Sequence, residues 1–276
     1  MKVIIPLLSL LVATVWGGVF TRPDENLHII ACDVGQGDGI IIYQGSTEIV
    51  IDGGPKGKML PCISRHRPFW DRTIDVVLVT HPQEDHYGGL IEVAESYTVN
   101  LFVENSQESS SQSYTLLQKV LGDQDIPTME ASSIKSIKSG LIQFDIIFPQ
   151  PEDHGLTLSS DPNDSSIVGR ISYGAVSGLF TGDMSPRLID YLSFKNRLVG
   201  TTYLKVPHHG SKNGLTQQLL ERTNPKLAVI SVGAKNRYGH PHPVVLELLK
   251  GIKTYRTDEA GDVEFVTDGK TWWLAE

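Results

Sequence analysis

The sequence predicts an α/β fold, a four-layer αββα sandwich, on three observations. Short apolar strands separated by Gly-rich turns fill the first part of the chain. From about residue 74 such strands alternate with helical patterns, and ionisable residues gather in the loops that leave the strands. Meander-like strands followed by strand–helix alternation fit two sheets packed face to face with helices outside. The 276 residues suffice for one large domain of this kind, with 26 glycines and 15 prolines to turn it.

At the N-terminus, MKVIIPLLSLLVATVWGGVF carries one Lys and then an uncharged, mainly apolar run from Val3 to Phe20. That length is at the short end of what spans a bilayer and longer than most signal-peptide cores. Residues 1–21 are therefore expected to be a signal peptide or an N-terminal membrane anchor. Lys2 on one side favours the N-terminus inside and residues 22–276 outside. The next runs, LHIIACD, DGIIIYQ and TEIVID, read as strands bounded by Gly-rich turns. VVLVTH is a further strand, followed by a helix from about Gly89, the strand LFVEN and a polar loop over residues 104–114. Then come the helix TLLQKVL and the strands LIQFDIIFP, SIVGRISYG and LFTGD. Helix PRLIDYLSF, strand TYLKVPHH, helix LTQQLLERT, strand LAVISVG and helix VVLELLKG follow, before strands YRTD and DVEFVT. No internal period of the solenoid kind appears.

A net charge of −8 excludes a general nucleic-acid coat protein, so any nucleic-acid contact must come from a local patch. Cys32 and Cys62 cannot make a disulfide framework or a Cys-only zinc site. They read as two isolated thiols, with a single bridge open if the chain is exported.

The chemistry sits in loops just after apolar strands: DVGQGD (Asp33, Gln36, Asp38), IDGG (Asp52), HPQEDH (His81, Asp85, His86), TGD (Asp183), PHHGS (His208, His209) and RYGHPHP (Arg237, His240, His242). Histidines and aspartates converging at strand ends suit one or two divalent ions, Zn or Mn. Asp183 is the candidate carboxylate shared between two ions. In extended chain His208 and His209 point opposite ways, so His209 is preferred as a ligand and His208 as an orienting or packing residue. His240 and His242 share a face that suits substrate or metal contact. Asp33 and Asp52 are as readily turn residues as functional ones, and Asp38 is read as capping a turn. His28, His66 and His154 stand outside the cluster and read as surface or satisfied histidines. Gln83 is anomalous: in the two-metal pattern H-x-H-x-D-H its position is a ligand, and a neutral amide is a poor one.

Together these residues resemble the metallo-β-lactamase superfamily and, more narrowly, the extracytoplasmic hydrolase domain of ComEC-type DNA-uptake proteins. The resemblance runs from Leu27 to the C-terminus through DVGQGDGIII, VIDGG, LVTHPQEDHYGGL, DSSIVGRISYG, LFTGDMS, LKVPHHGS, ISVGAKNRYGHPHP and YRTDEAGDVEF. It implies an αββα fold, usually a dinuclear site, and hydrolysis; for the ComEC-type branch it suggests phosphodiester cleavage of DNA. Other branches place a His where this chain reads NDSSIVG, with Asn163 or Ser165 instead, and ComEC-like sequences tend to have Asp at the position of Gln83. One ion is then left with His81, Asp183 and an amide oxygen or water, while the other keeps Asp85, His86, Asp183 and His209.

The expected activity is metal-dependent hydrolysis of a phosphate-bearing substrate, single-stranded DNA being a candidate. Asp85 or Asp183 would orient the water, and His240 or His242 would donate to the developing charge. Lys205, Lys212, Lys235 and Arg237 form a candidate phosphate-binding patch, Arg237 foremost. The alternatives are another ester, such as a cell-envelope phosphodiester, a phosphocholine ester or a lactone, and a catalytically weakened module that binds nucleic acid or a partner.

Overall fold

A computed structural model of the chain describes residues 24–105, 107, 109–153 and 161–275. The N-terminal signal or anchor segment and His154 lie outside the described residues. Among these, the strands are β1 (Leu27–Ala31), β2 (Gly39–Gln44), β3 (Thr47–Gly53), β4 (Thr73–Ile74), β5 (Val76–Leu78), β6 (Thr98–Val99), β7 (Phe102–Glu104) and β8 (Thr128–Glu130). They continue as β9 (Ser136–Ser139), β10 (Ile142–Phe148), β11 (Val168–Tyr173), β12 (Val176–Phe180), β13 (Tyr203–Lys205), β14 (Leu227–Ile230), β15 (Lys253–Arg256), β16 (Val263–Thr267) and β17 (Trp272–Leu274). One sheet has the order β17-β16-β1-β2-β3-β5-β7-β8 and a second β15-β14-β13-β12-β11-β10-β9, with β4 and β6 paired apart.

The side-chain alternation of these strands makes the layers. Along β2, Ile40 and Ile42 enter the core between the sheets, where they meet Phe144, Phe180 and Tyr203 of the second sheet. Ile41 and Tyr43 point the other way, onto helices Met59–His66, Leu90–Ser96 and Gln112–Asp123. In the second sheet Leu204, Ala228 and Ile230 pack outward with residues of helices Pro186–Phe194 and Gln217–Thr223. Three separate cores are what a four-layer αββα stack requires.

Topology gathers the loops. Strands β3, β5 and β7 run parallel in one sheet, and β12 to β15 run parallel in the other. Asp52 ends β3, His81 follows β5, Asp183 follows β12 and His209 follows β13, so all emerge at one end.

One expectation is corrected, and several elements were unforeseen. Helix Met59–His66 was not anticipated: it is short and holds Pro61 and Cys62, so only Met59, Cys62 and Ile63 signal its buried face. Strands β4, β6, β8, β9 and β17 were likewise unforeseen, being short or edge strands. The cysteines are not isolated thiols: Cys32 and Cys62 form a buried disulfide with Cα atoms 6.0 Å apart. Cys32 continues β1 on the face of Ile30, which lies against the inner side of that helix. By loop-closure entropy such a bridge contributes roughly 3–4 kcal/mol.

Candidate active site

The site begins with Asp52, buried at the end of β3 and held at φ 57°. Its carboxylate accepts from Thr80 N (2.7 Å) and Thr80 Oγ1 (2.8 Å), and pairs with His86 Nδ1 at 2.8 Å. Beyond Gln83 the chain makes the single helical turn Glu84–Tyr87, which sets Asp85 and His86 side by side. Gly37 of the DVGQGD loop lies so close to Asp85 that a Cβ would clash with its carbonyl oxygen. Asp38 N is thereby within 3.2 Å of that oxygen.

Three imidazoles share one design. His86 uses Nδ1 on Asp52, His81 uses Nδ1 on Thr80 Oγ1 (3.1 Å), and His209 uses Nδ1 on Ser231 O (3.1 Å) with Asp38 Oδ1 at 3.3 Å. In each ring Nε2 is buried without a hydrogen-bond partner, as is Asp183 Oδ1. These orphaned atoms converge: His86 Nε2 is 3.4 Å from Asp183 Oδ1, and His209 Nε2 is 3.4 Å from Asp183 Oδ2 and 3.6 Å from Asp85 Oδ2. Ligand atoms of His81, His86 and Asp183 lie within 4.8 Å of one another, as do those of Asp85, His86 and His209. Buried polar atoms without partners are costly. Imidazoles fixed through Nδ1 with Nε2 turned to a common centre are the arrangement metal ligation uses. The donor set fits Zn or Mn.

Electrostatics agree. Burial works against charge on every member, but His209 and His86 hold the Asp183 carboxyl well below its usual range. Burial lowers the His86 pKa, yet Asp183 and Asp52 raise it well above that of a free imidazole. Asp183 and Asp38 do the same for His209. His81, buried and beside His86, is lowered to about 3.

His81, Asp85, His86, Asp183 and His209 are thus brought together. His208 differs from expectation. The chain is not extended there, since His208 and His209 both adopt φ 53°, a strained choice for residues with a Cβ. His208 Nε2 therefore also faces Asp183 Oδ2, at 3.7 Å, on the more open side. Its ring lies 5.9 Å from His240, which stacks on Tyr238 at 5.6 Å, and Arg237 lies 5.2 Å from the Tyr238 ring. A wall of imidazole, phenol and guanidinium so leads from Asp183 to solvent. Asn236 locks this loop, accepting from His240 N and donating to His240 O. His242, expected beside His240 as a donor to substrate or metal, is instead the N-cap of helix Pro243–Leu248, its Nδ1 accepting from Val244 N at 3.3 Å. Lys212 and Lys235 are exposed in the same rim.

Lys205 leaves the expected patch. It is buried, ion-paired with Asp38, and donates to Gly182 O at 3.2 Å. Asp38, expected to cap a turn, is instead a buried anion between Lys205 and His209. Asp33 is a turn residue accepting from Gly35 N. Of the residues in NDSSIVG, Asn163 has a buried Oδ1 without a partner, Ser165 is tied to Pro162 O at 2.7 Å, and Ser166 Oγ accepts from Asp183 N. Ser166 and Asn236 were not readable as site residues, and Asp38 and Lys205 were readable only in other roles. The available signal was Asp38 directly preceding a strand after Gly37.

Comparison with known proteins accords with this geometry. A family model described as the metallo-beta-lactamase superfamily matches residues 32–234. The chain is 26% identical over 260 residues to ComE operon protein 3 of Bacillus subtilis (strain 168), covering 84% of this chain and 32% of that protein. It is 26% identical over 230 residues to Recombination protein 2 of Haemophilus influenzae, covering 80% and 26%. The chain thus spans a third or less of these relatives' length. Among solved structures, the metallo-beta-lactamase fold protein YhfI from Bacillus subtilis superposes with a TM-score of 0.58 at 11% identity, over 90% of this chain and 100% of that one. Proteins of this fold usually bind divalent metals such as zinc. The chain belongs to the metallo-β-lactamase superfamily of hydrolases and is similar, within it, to ComEC-like competence proteins.

Proposed function

We propose that the protein is an extracytoplasmic, metal-dependent phosphodiesterase that cleaves single-stranded DNA. The observation that carries this reading is the set of buried, partnerless atoms, Nε2 of His81, His86 and His209 with Asp183 Oδ1, turned to one centre. His81, Asp85, His86, Asp183 and His209 would hold one or two ions of Zn or Mn. Such ions supply an activated water and neutralise charge on a phosphoryl group. The chain's own part is positional. Asp52 and Ser231 O fix the ring planes, Asp85 and Asp183 are set to orient a water, and His208 and His240 offer imidazoles to a developing oxyanion. Arg237 with Lys212 and Lys235 supplies charge for the flanking phosphates. The buried Cys32–Cys62 bridge supports an oxidising, extracytoplasmic setting.

A second reading, a smaller phosphodiester of the cell envelope, is favoured by one observation: Lys205 is committed to Asp38, which thins the cationic rim. The test is degradation of single-stranded DNA by residues 22–276, titrated with Mn and with Zn, beside Asp183→Ala. Metal-dependent cleavage that falls to background in the variant is expected. No cleavage at any metal level removes the nuclease reading and directs attention to envelope esters. Cleavage that survives Asp183→Ala removes the site.

A further inference from the structure

The end of the sandwich opposite the metal-facing loops carries large apolar side chains in solvent, gathered around one turn. Gly45 and Ser46 join β2 to β3, and β3 then runs roughly 20 Å to Asp52 at the other end. Arg67 donates to Gly45 O at 3.2 Å and to Glu48 at 2.8 Å, which lays the following segment against this turn. There Phe69 and Trp70 are 79% and 52% exposed, their rings edge to face at 5.1 Å. On the turn's other flank, Gly140 packs so near Thr47 that a Cβ would come 2.5 Å from its hydroxyl. Leu141, next in the chain, is 72% exposed. Single exposed apolar residues are common, Phe194 among them here; three flanking one turn are less so.

What distinguishes this patch is where the chain enters. Glu25 O is held by Gln44 Nε2 at 2.8 Å and Tyr173 OH at 3.2 Å, at the same turn. The uncharged apolar run ends at Phe20, four residues before Asp24, so the two lie at most about 14 Å apart along the chain. Charges of both signs, Asp24, Glu25, Arg72 and Lys138, stand at this end.

We propose that this end is a lipid-docking face: Phe69, Trp70 and Leu141 enter the headgroup boundary of the bilayer held by the N-terminal run, and the metal-facing loops are turned away from it. The proposal rests on residues 1–21 remaining as an anchor. Aromatic side chains favour that boundary, and the mixed charge calls for no anionic lipid.

The test uses the full chain in vesicles of phosphatidylcholine alone, with a single environment-sensitive fluorophore on Phe69→Cys, Leu141→Cys or, as control at the site end, Ala234→Cys. Flotation reports anchoring, and emission with quenching by brominated lipid reports docking. Flotation with a blue shift and lipid quenching at 69 and 141, and neither at 234, is the expected result. Flotation with all three labels in water overturns the docking face and leaves the anchor standing. A chain that does not float overturns both. Labels that leave water only when another membrane protein is added would assign the patch to a protein partner and overturn the lipid proposal.

Discussion

Two clusters of histidines and carboxylates among the described residues are built differently. In the first, His28 uses both ring nitrogens, Nδ1 on Glu264 at 2.7 Å and Nε2 on Asp24 at 2.8 Å. His66 does likewise, with Asp262 at 2.9 Å and Glu264 at 3.5 Å. Every nitrogen there has a carboxylate. In the second cluster His81, His86 and His209 are each satisfied at Nδ1 and orphaned at Nε2. A cluster complete in itself is structural; a cluster half complete, with its open atoms converging, is built for a group that the polypeptide does not supply.

The largest consequence of this difference is a proton count. Against the effect of burial, Asp183 with Asp52 raises the His86 pKa, and Asp183 with Asp38 raises that of His209. A divalent ion must displace any proton these rings hold. Metal affinity should therefore fall as pH is lowered, approaching about a hundredfold per pH unit where both protons are released. Titrating Zn into the protein in weakly and strongly ionising buffers measures that release directly. Next, Asp52→Ala removes no ligand but frees the His86 ring, and metal affinity should drop about 10–100-fold with the fold retained. Gln83→Asp adds a carboxylate beside His81 and should raise metal affinity by a smaller factor, read by competition with a chelating dye.

His66→Ala should leave metal affinity unchanged and alter stability instead. The His66 pKa is raised to about 9, by Asp262 and Glu264 working against burial, while those carboxyls are lowered to about 2. The carboxylate part of the stabilisation is complete above the ordinary carboxyl range and lost as pH falls toward 2. The imidazolium part is complete below the ordinary 6.5 and lost as pH rises through 9. Thermal melts should separate wild type from variant most between about pH 4.5 and 6.5, and least near pH 9.

The four-layer fold was legible because short apolar runs bounded by glycines are a local signal, and the five candidate ligands stood in loops just after such runs. What escaped was set by contacts distant in sequence. Lys205 reads as a surface cation until Asp38, from another sheet, meets it inside the protein. The His208–His209 pair reads as extended until both residues turn left-handed. His242 reads as a partner of His240 until a helix begins after it and takes its imidazole as a cap. Cys32 and Cys62 pair because an unforeseen helix faces β1. In each case a bare residue type is compatible with several environments, and only the tertiary partner selects one.

The contrast between the two clusters is tested most directly by Zn titration of the apo-protein, His86→Ala, His209→Ala and His66→Ala side by side, with bound metal counted by elemental analysis. Tight binding by wild type and His66→Ala, lost in the other two variants, is the predicted result. Equal binding by all four proteins, or binding lost only in His66→Ala, would contradict the assignment of the half-satisfied cluster as the metal centre.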